Sequence, residues 1–232
     1  MNLSYLSFFR SLRTDKSQQI AVIGLGRFGR AACLTLQQLG YEVLAIDSEQ
    51  KRVDLLLADR ISSHAMQLDT TEPTALKQSG ILDFDTVIVA IGNYLEASVI
   101  TTLNLKDAGI KHVVAKASSE IHVKLLQKVG ADHVVFPEHD AGCELARSLT
   151  KPSILERFEL DTDHSIVEVI VPDDFHGKTI MELQLRTRYG LNMLAVSRDG
   201  KFEINPEPNL RLQKGTAMVV IGSNVNINRL PI

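Results

Sequence analysis

The chain has 232 residues, of which 44% are hydrophobic and 23% are charged, a composition typical of a soluble globular protein. Its formal net charge of −3 argues against a nucleic-acid partner held by bulk positive charge. The two cysteines, Cys33 and Cys143, have neither metal-site spacing nor a Cys-x-x-Cys arrangement, and no apolar run is long enough to predict a membrane span.

The first 17 residues precede the first predicted strand and are aromatic and lightly basic. They lack the long apolar region and the small-residue cleavage site of a signal peptide. We expect residues 1–17 to form a flexible leader. Contact with a membrane surface or a membrane partner is the alternative.

A glycine turn follows the first predicted strand. Gly24, Gly26 and Gly29 give the pattern Gly-x-Gly-x-x-Gly, and a second apolar strand ends at Asp47. In the dinucleotide-binding fingerprint the first glycine permits a tight turn, the second admits a phosphate, the third lets the helix pack closely, and the acidic residue holds a ribose. The sequence therefore predicts a nucleotide site; a tight turn without a ligand is the alternative.

Arg27 directly follows the second glycine, at the start of the predicted helix. Its forked guanidinium is suited to fold over a pyrophosphate or to reach a terminal phosphate. The alternative is a solvated arginine on the first helical turn.

Strand and helix patterns alternate up to about residue 150. The predicted strands span residues 20–24, 42–47, 63–67, 85–91, 112–116 and 132–136. The helical patterns span residues 28–39, 49–58, 72–79, 94–108, 119–129 and 139–149. Glycines expected to end helices are Gly40, Gly80, Gly109 and Gly130. Because the strands are almost continuously apolar, we predict an α/β fold with a Rossmann-like, doubly wound parallel sheet.

The pattern changes after Lys151-Pro152, where alternating strands dominate. They span residues 158–160, 165–171, 191–196, 201–204 and 217–222, with a short helix over 180–189 and a hairpin turn at 199–200. The sequence thus predicts a nucleotide-binding domain over residues 18–138, a crossover helix and linker over 139–158, and a small α+β domain over 159–232.

The second predicted domain lacks a catalytic constellation. His164 and His176 lie in polar, turn-like stretches that are typical of solvated loop histidines. A nucleotide fold without catalytic residues favours a sensor over an enzyme. An NAD(H)-dependent oxidoreductase or redox sensor on the same fold remains the alternative. A nucleic-acid-binding sensor is disfavoured, because the chain is acidic and shows no helix-turn-helix pattern.

Five segments carry a resemblance to a known family. They are residues 21–29, 87–92, 114–117, 130–138 and 186–190. Over residues 18–230 the chain resembles the RCK (regulator of K⁺ conductance) proteins, specifically the KtrA/TrkA-type cytosolic subunits of bacterial K⁺ uptake systems. The resemblance implies an N-terminal nucleotide-binding RCK domain followed by a C-terminal RCK domain.

The resemblance implies that the first domain binds ATP or ADP, and NAD(H) as in some family members. Asp47 would hold the ribose, Asp69 and Thr70 would line the adenine side, and Arg27 would reach the γ-phosphate and so distinguish ATP from ADP. Lys116 and the residues after it would form the rim. The full set that it implies is Gly24, Gly26, Arg27, Phe28, Gly29, Asp47, Ser48, Glu49, Asp69, Thr70, Ile91, Gly92, Asn93, Lys116, Ala117, Ser118 and His122.

Two further ligands are implied by the resemblance. Glu138 would bind Mg²⁺ or Ca²⁺ near the nucleotide; the alternative is a glutamate favoured by the N-terminus of its helix. Cyclic di-AMP would bind the second domain, with Arg186 facing phosphate; the alternative there is a helix face packed on the sheet. The residues at the matching positions are Ile180, Met181, Gln184, Arg186, Tyr189, Asn192 and Pro208.

The resemblance also implies the partners. They are a membrane K⁺-translocating subunit of the KtrB/TrkH type and further copies of this chain, as homodimers assembled into a homo-octameric ring. The protein would be cytoplasmic and peripheral at the inner face of the cell membrane, with no nucleic-acid partner. ATP and ADP would favour different ring conformations and so gate K⁺ uptake.

Overall fold

A computed structural model describes residues 19–62, 64–150, 152–198 and 200–231. The predicted leader and the first residue of the predicted hairpin turn, Asp199, lie outside the described residues. The chain forms two compact units that divide in sequence between Ala141 and Gly142. Within the described ranges, no helix is both long and apolar enough to cross a membrane.

The first unit contains a six-stranded parallel sheet. Its strands are β1 (Ile20–Ile23), β2 (Val43–Asp47), β3 (His64–Gln67), β4 (Thr86–Val89), β5 (His112–Lys116) and β6 (His133–Val135). They pair in the order β3-β2-β1-β4-β5-β6. This is the order of a doubly wound dinucleotide fold, so the predicted fold class is confirmed.

Helices connect these strands. They are α1 (Arg27–Gln38), α2 (Gln50–Ala58), α3 (Pro73–Gln78), α4 (Leu95–Asp107), α5 (Glu120–Lys128) and α6 (Pro137–Thr150). The four glycines predicted to end helices all have positive φ, between 77° and 97°. That left-handed conformation favours glycine, and it turns the chain out of each helix.

Both faces of the parallel sheet are buried. Ala21 and Ile23 of β1 belong to one apolar cluster, and Val22 between them belongs to another that includes Cys33 of α1. Because successive side chains of a strand point to opposite faces, this division shows helices covering both sides. Burial raises the pKa of the Cys33 thiol to about 11, so this cysteine stays protonated and unreactive at neutral pH.

The second unit contains a five-stranded antiparallel sheet. Its strands are β7 (Ile154–Glu159), β8 (His164–Ile170), β9 (Asn192–Arg198), β10 (Lys201–Ile204) and β11 (Ala217–Ser223), in the order β10-β9-β11-β8-β7. Its helices are α7 (Ile180–Leu183), α8 (Leu185–Tyr189) and α9 (Asn224–Ile227). Val167, Val169, Met218 and Val220 form the centre of its core.

The helix predicted over residues 180–189 is wrong as a single element. Gln184 has a φ of 48°, a left-handed conformation that ends α7 and begins α8 in a new direction. Residues other than glycine rarely adopt this conformation, so a glutamine at position 184 did not predict that the helix would be interrupted there.

A capping box starts α7, and it provides a stability prediction. The Thr179 hydroxyl accepts a hydrogen bond from the Glu182 N–H at 3.2 Å, and the Glu182 carboxylate accepts one from the Thr179 N–H at 2.7 Å. We expect Thr179→Ala to lower the free energy of unfolding by about 1 kcal/mol, because the Glu182 N–H loses its acceptor. Urea denaturation measures this loss; Thr179→Ser, which keeps the hydroxyl, is the matched control, and equal losses in both variants would contradict the assignment.

Candidate nucleotide-binding site

The residues predicted to bind the nucleotide lie at or just beyond the carboxyl ends of five strands, β1 to β5. β1 and β4 are neighbours in the middle of the sheet, and the chain leaves them for opposite sides, through α1 to β2 and through α4 to β5. Such a switch point leaves a crevice outside the carboxyl ends of the strands, where doubly wound sheets bind ligands.

Two glycines of the turn are required by the fold itself. Gly24 has a φ of 94°, and its N–H donates to the Ile46 carbonyl at 2.7 Å. A Cβ placed on Gly24 would lie 3.0 Å from the Ala90 carbonyl carbon, and one placed on Gly29 would lie only 1.9 Å from the Gly24 carbonyl oxygen. The turn is therefore pressed between β4 and the first turn of α1, with no room for either side chain.

Gly26 is different, because no packing among the described residues requires it. A Cβ placed on it would have no atom of those residues within 4 Å, and its φ of −69° is one that any residue adopts. It caps α1 without a side-chain hydrogen bond to the helical N–H groups. Open space at the N-terminus of a helix, beside a residue that has no side chain, suits an approaching phosphate.

Asp47, at the end of β2, is fastened to the glycine turn. The residue is only 4% exposed. One carboxylate oxygen accepts from the Leu25 N–H at 2.6 Å, and the other accepts from the Glu49 N–H at 2.9 Å. These bonds hold the carboxylate beside the turn, and its remaining lone pairs can accept from the hydroxyls of a ribose.

Arg52 was not predicted as a site residue, yet it contacts this carboxylate. Its guanidinium lies 3.4 Å from the Asp47 carboxylate and 2.8 Å from that of Glu49. Arg52 is three residues beyond Glu49 on the first turn of α2, so the i,i+3 spacing was the available signal.

A second group of residues meets across the ends of β4 and β5. The Lys116 ammonium lies 2.7 Å from a Glu138 carboxylate oxygen and 5.8 Å from the centroid of the Phe28 ring. A Cβ placed on Gly92 would lie 3.0 Å from the same ammonium. The hydrogen bond from Lys116, helped by the charge of Arg27, holds the pKa of the Glu138 carboxyl below its usual range.

Thr70, predicted for the adenine side, is turned inward. It is buried, and its hydroxyl lies 2.8 Å from that of Thr101 on α4. Asp69 beside it is exposed, and hydrogen bonds from the Thr71 hydroxyl and N–H lower the pKa of its carboxyl. Asp69 is therefore the member of this pair whose side chain faces outward.

His122, predicted for the rim, is fully buried on α5. Its Nδ1 accepts from the Ser118 N–H at 3.3 Å, and burial lowers the pKa of the imidazole. The neutral imidazole thus accepts a hydrogen bond that fixes the turn at Ser118 from its buried side.

Glu138 stands without a set of further metal-ligating side chains grouped around it in the described residues. Across the ranges that the structure describes, no three His, Cys, Asp or Glu side chains are grouped to hold a metal ion. Glu138, the predicted ligand, has a lysine ammonium as its partner instead. The side chains as placed do not fit a divalent cation on their own, and a metal at Glu138 stays a prediction.

In the second unit, a pocket of about 520 Å³ coincides with much of the predicted cyclic di-AMP site. Two predicted residues do not line it. The Tyr189 ring packs edge-on against Phe175, with centroids 5.8 Å apart, and Pro208 lies beside the pocket, where its carbonyl accepts from the Met181 N–H. The predicted residues that line the pocket are Ile180, Met181, Gln184, Arg186 and Asn192.

The two histidines of the second unit differ in position: His164 is the first residue of β8, and His176 lies in a turn. His164 Nδ1 is 3.0 Å from an Asp161 carboxylate oxygen, between β7 and β8. His176 Nδ1 accepts from the Lys214 N–H at 3.2 Å. Asp161 lies in the bend before β8, and Lys214 lies in a separate turn before β11. The prediction of a loop histidine therefore fits His176, whereas His164 begins a strand.

The fold and this site define a protein of the nucleotide-binding Rossmann class with a small α+β second domain. Comparison with family models agrees with this architecture. The TrkA-N domain matches residues 20–137, and the TrkA-C domain matches residues 166–230.

Similar proteins cover almost the whole chain. The Ktr system potassium uptake protein C of Bacillus subtilis (strain 168) is 38% identical over 212 residues, which is 91% of this chain and 95% of the relative. The Ktr system potassium uptake protein A of the same organism is 37% identical over 214 residues, 92% of this chain and 96% of the relative. The chain belongs to this family of potassium uptake proteins with TrkA-N and TrkA-C domains.

Solved structures show the same fold. The crystal structure of the GsuK RCK domain has a TM-score of 0.51 and 24% identity, and the match covers 96% of this chain and 47% of that one. This likeness supports the fold. The resemblance to KtrA/TrkA-type proteins, and with it the predicted role in potassium uptake, is confirmed by the two family models and the Ktr relatives. The alternative of an NAD(H)-dependent oxidoreductase or redox sensor is not favoured.

Proposed function

We propose that this protein is the regulatory nucleotide-binding subunit that gates a membrane K⁺ uptake channel or transporter, with ATP and ADP favouring different conformations of a cytosolic ring. The observation that carries the proposal is the open space at Gly26, where the N-terminus of α1 has no partner from its own cap. Asp47 ends β2 and Lys116 ends β5, on either side of the β1–β4 switch point, where a ribose and a phosphate need them.

In this proposal, no bond in the nucleotide is broken. The ligand shifts an equilibrium between two conformations by as much as its affinity differs between them. A hundredfold difference in affinity supplies about 3 kcal/mol per site, and several coupled sites give a sharp switch. The partners are the membrane K⁺-translocating subunit and further copies of this chain, as homodimers in a homo-octameric ring at the inner face of the membrane. The Ktr relatives support the choice of partner.

A second ligand, cyclic di-AMP, is proposed for the pocket of the second unit. Arg186 lines that pocket and is suited to a phosphate, because a guanidinium forms paired hydrogen bonds with phosphate oxygens. Ile180 and Met181 line the same pocket and present apolar surface to a base.

Arg27 provides the test of nucleotide discrimination. Its side chain is exposed at the start of α1, near enough to Glu138 to lower the pKa of that carboxyl. We expect Arg27→Ala to weaken ATP binding about tenfold while ADP binding changes little, because a charged hydrogen bond to the terminal phosphate is lost. Calorimetric titration gives both affinities, and K⁺ uptake by vesicles containing the membrane subunit gives the functional readout.

The matched control is Arg30→Ala, on the same helix. Arg30 forms an ion pair with Asp59, so its removal takes away the same charge without touching the proposed phosphate contact. ATP preference should survive in that variant. Equal weakening of ATP and ADP by Arg27→Ala would show instead that Arg27 is a general pyrophosphate contact, and the proposed discrimination would then be lost.

A further inference from the structure

The Lys116 side chain lies across the crevice at the switch point. It starts at the end of β5, passes so close to Gly92 that a Cβ there would come within 3.0 Å of the ammonium, and lies 5.8 Å from the centroid of the Phe28 ring at the start of α1. The side chain is only 12% exposed. It is therefore a largely buried cation beside the site where the proposed function places an anion.

This cation already has an anionic partner. Glu138, on the first turn of α6, brings a carboxylate oxygen to 2.7 Å from the ammonium, and its own side chain is 63% exposed. The carboxylate thus reaches Lys116 from the solvent side. The N-terminus of α6 and the charge of Arg27 favour the carboxylate in the same place.

We propose that Glu138 is an internal competitor of the nucleotide: its carboxylate occupies Lys116 in the free protein, and a phosphate group must take Lys116 from it. This inference rests on the proposed function. A carboxylate and a phosphate oxygen make the same kind of charged hydrogen bond to an ammonium, so one replaces the other directly. The exchange keeps Lys116 paired throughout, which a mostly buried ammonium requires.

The exchange of Glu138 for a phosphate would also change how the first turn of α6 is held. Glu138 lies on the first turn of that helix, and α6 carries the chain from the first unit into the second. A nucleotide that takes Lys116 releases the bond holding that turn to the end of β5. Occupancy of the crevice is thus coupled to how the start of α6 is held.

The test is Glu138→Gln, titrated with ADP and with ATP in the presence of EDTA. Removing the competing carboxylate is expected to tighten the binding of both nucleotides about threefold to fivefold, the upper end of the range for a partly exposed ion pair. EDTA removes divalent cations, so a metal bound at Glu138 contributes nothing to the comparison. Glu144→Gln is the matched control: it removes the same charge from an exposed position of the same helix, and both affinities should stay within about twofold of wild type.

A double-mutant cycle separates competition from a general charge effect. Lys116→Met is expected to weaken both nucleotides, and adding Glu138→Gln in that background should no longer tighten them, because the carboxylate has no ammonium left to occupy. Tightening that persists without Lys116 would overturn the inference, as would unchanged or weaker binding by Glu138→Gln alone. If the wild-type protein binds neither nucleotide, the proposed function fails as well.

Discussion

Gly29→Ala is expected to lower the free energy of unfolding of the first unit by about 3 kcal/mol. The added Cβ would lie 1.9 Å from the Gly24 carbonyl oxygen and 3.1 Å from the Ala90 Cβ. The first of these atoms is backbone. Its peptide plane is held by the bond from the Leu25 N–H to the Asp47 carboxylate, so it cannot rotate away as a flexible side chain would. Chemical denaturation followed by circular dichroism measures the loss.

Gly142→Ala is the matched control for this prediction. Gly142 lies inside α6, and a Cβ placed there would have no atom within 4 Å. The same substitution should therefore stabilise by about 0.5 to 1 kcal/mol, because alanine favours the helix. If Gly29→Ala unfolds at the same denaturant concentration as the wild type, α1 does not pack on the glycine turn as described.

Gly26→Ala should differ from Gly29→Ala: we expect it to leave the fold intact and to weaken nucleotide binding. No atom lies within 4 Å of the added Cβ, so stability should fall by no more than about 1 kcal/mol, the cost of alanine as a helix cap. The same Cβ would occupy the space through which a phosphate reaches the N-terminus of α1. We expect the affinities for ATP and ADP to fall at least about tenfold.

Calorimetry on the folded variant checks this second prediction, with the unfolding midpoint measured in parallel. The pair of glycines is informative because the substitution is the same and the positions are three residues apart. Wild-type affinity in a stable Gly26→Ala protein would mean that no phosphate approaches the glycine turn, and the assigned site would be wrong.

The architecture of the first unit was predictable because its apolar strand patterns and its helix-ending glycines indicate the same alternation of strands and helices. Its strands are almost continuously apolar, and glycines with positive φ end the helices before β2 and β6, at Gly40 and Gly130. The position of Asp47 followed from the same pattern, since the carboxyl ends of parallel strands share one edge of the sheet.

Side-chain pairing across elements was not predictable in the same way. Lys116 and Glu138 are 22 residues apart in sequence. They meet because Lys116 is the last residue of β5 and Glu138 lies on the first turn of α6. Thr70 follows a strand end, as a site residue should, but Thr101 on α4 draws its hydroxyl inward. The left-handed Gln184 shows a further limit, because it adopts a backbone conformation that its residue type disfavours.

The central claim, that the switch-point crevice binds ATP and ADP as the signal for potassium uptake, is tested most directly by one measurement. It is the calorimetric titration of the full chain with ATP, ADP, NAD⁺ and NADH, each with and without Mg²⁺. We predict binding of both ATP and ADP, with affinities that differ between them. Tight NADH binding without any ATP or ADP binding would contradict the claim and reopen the redox alternative.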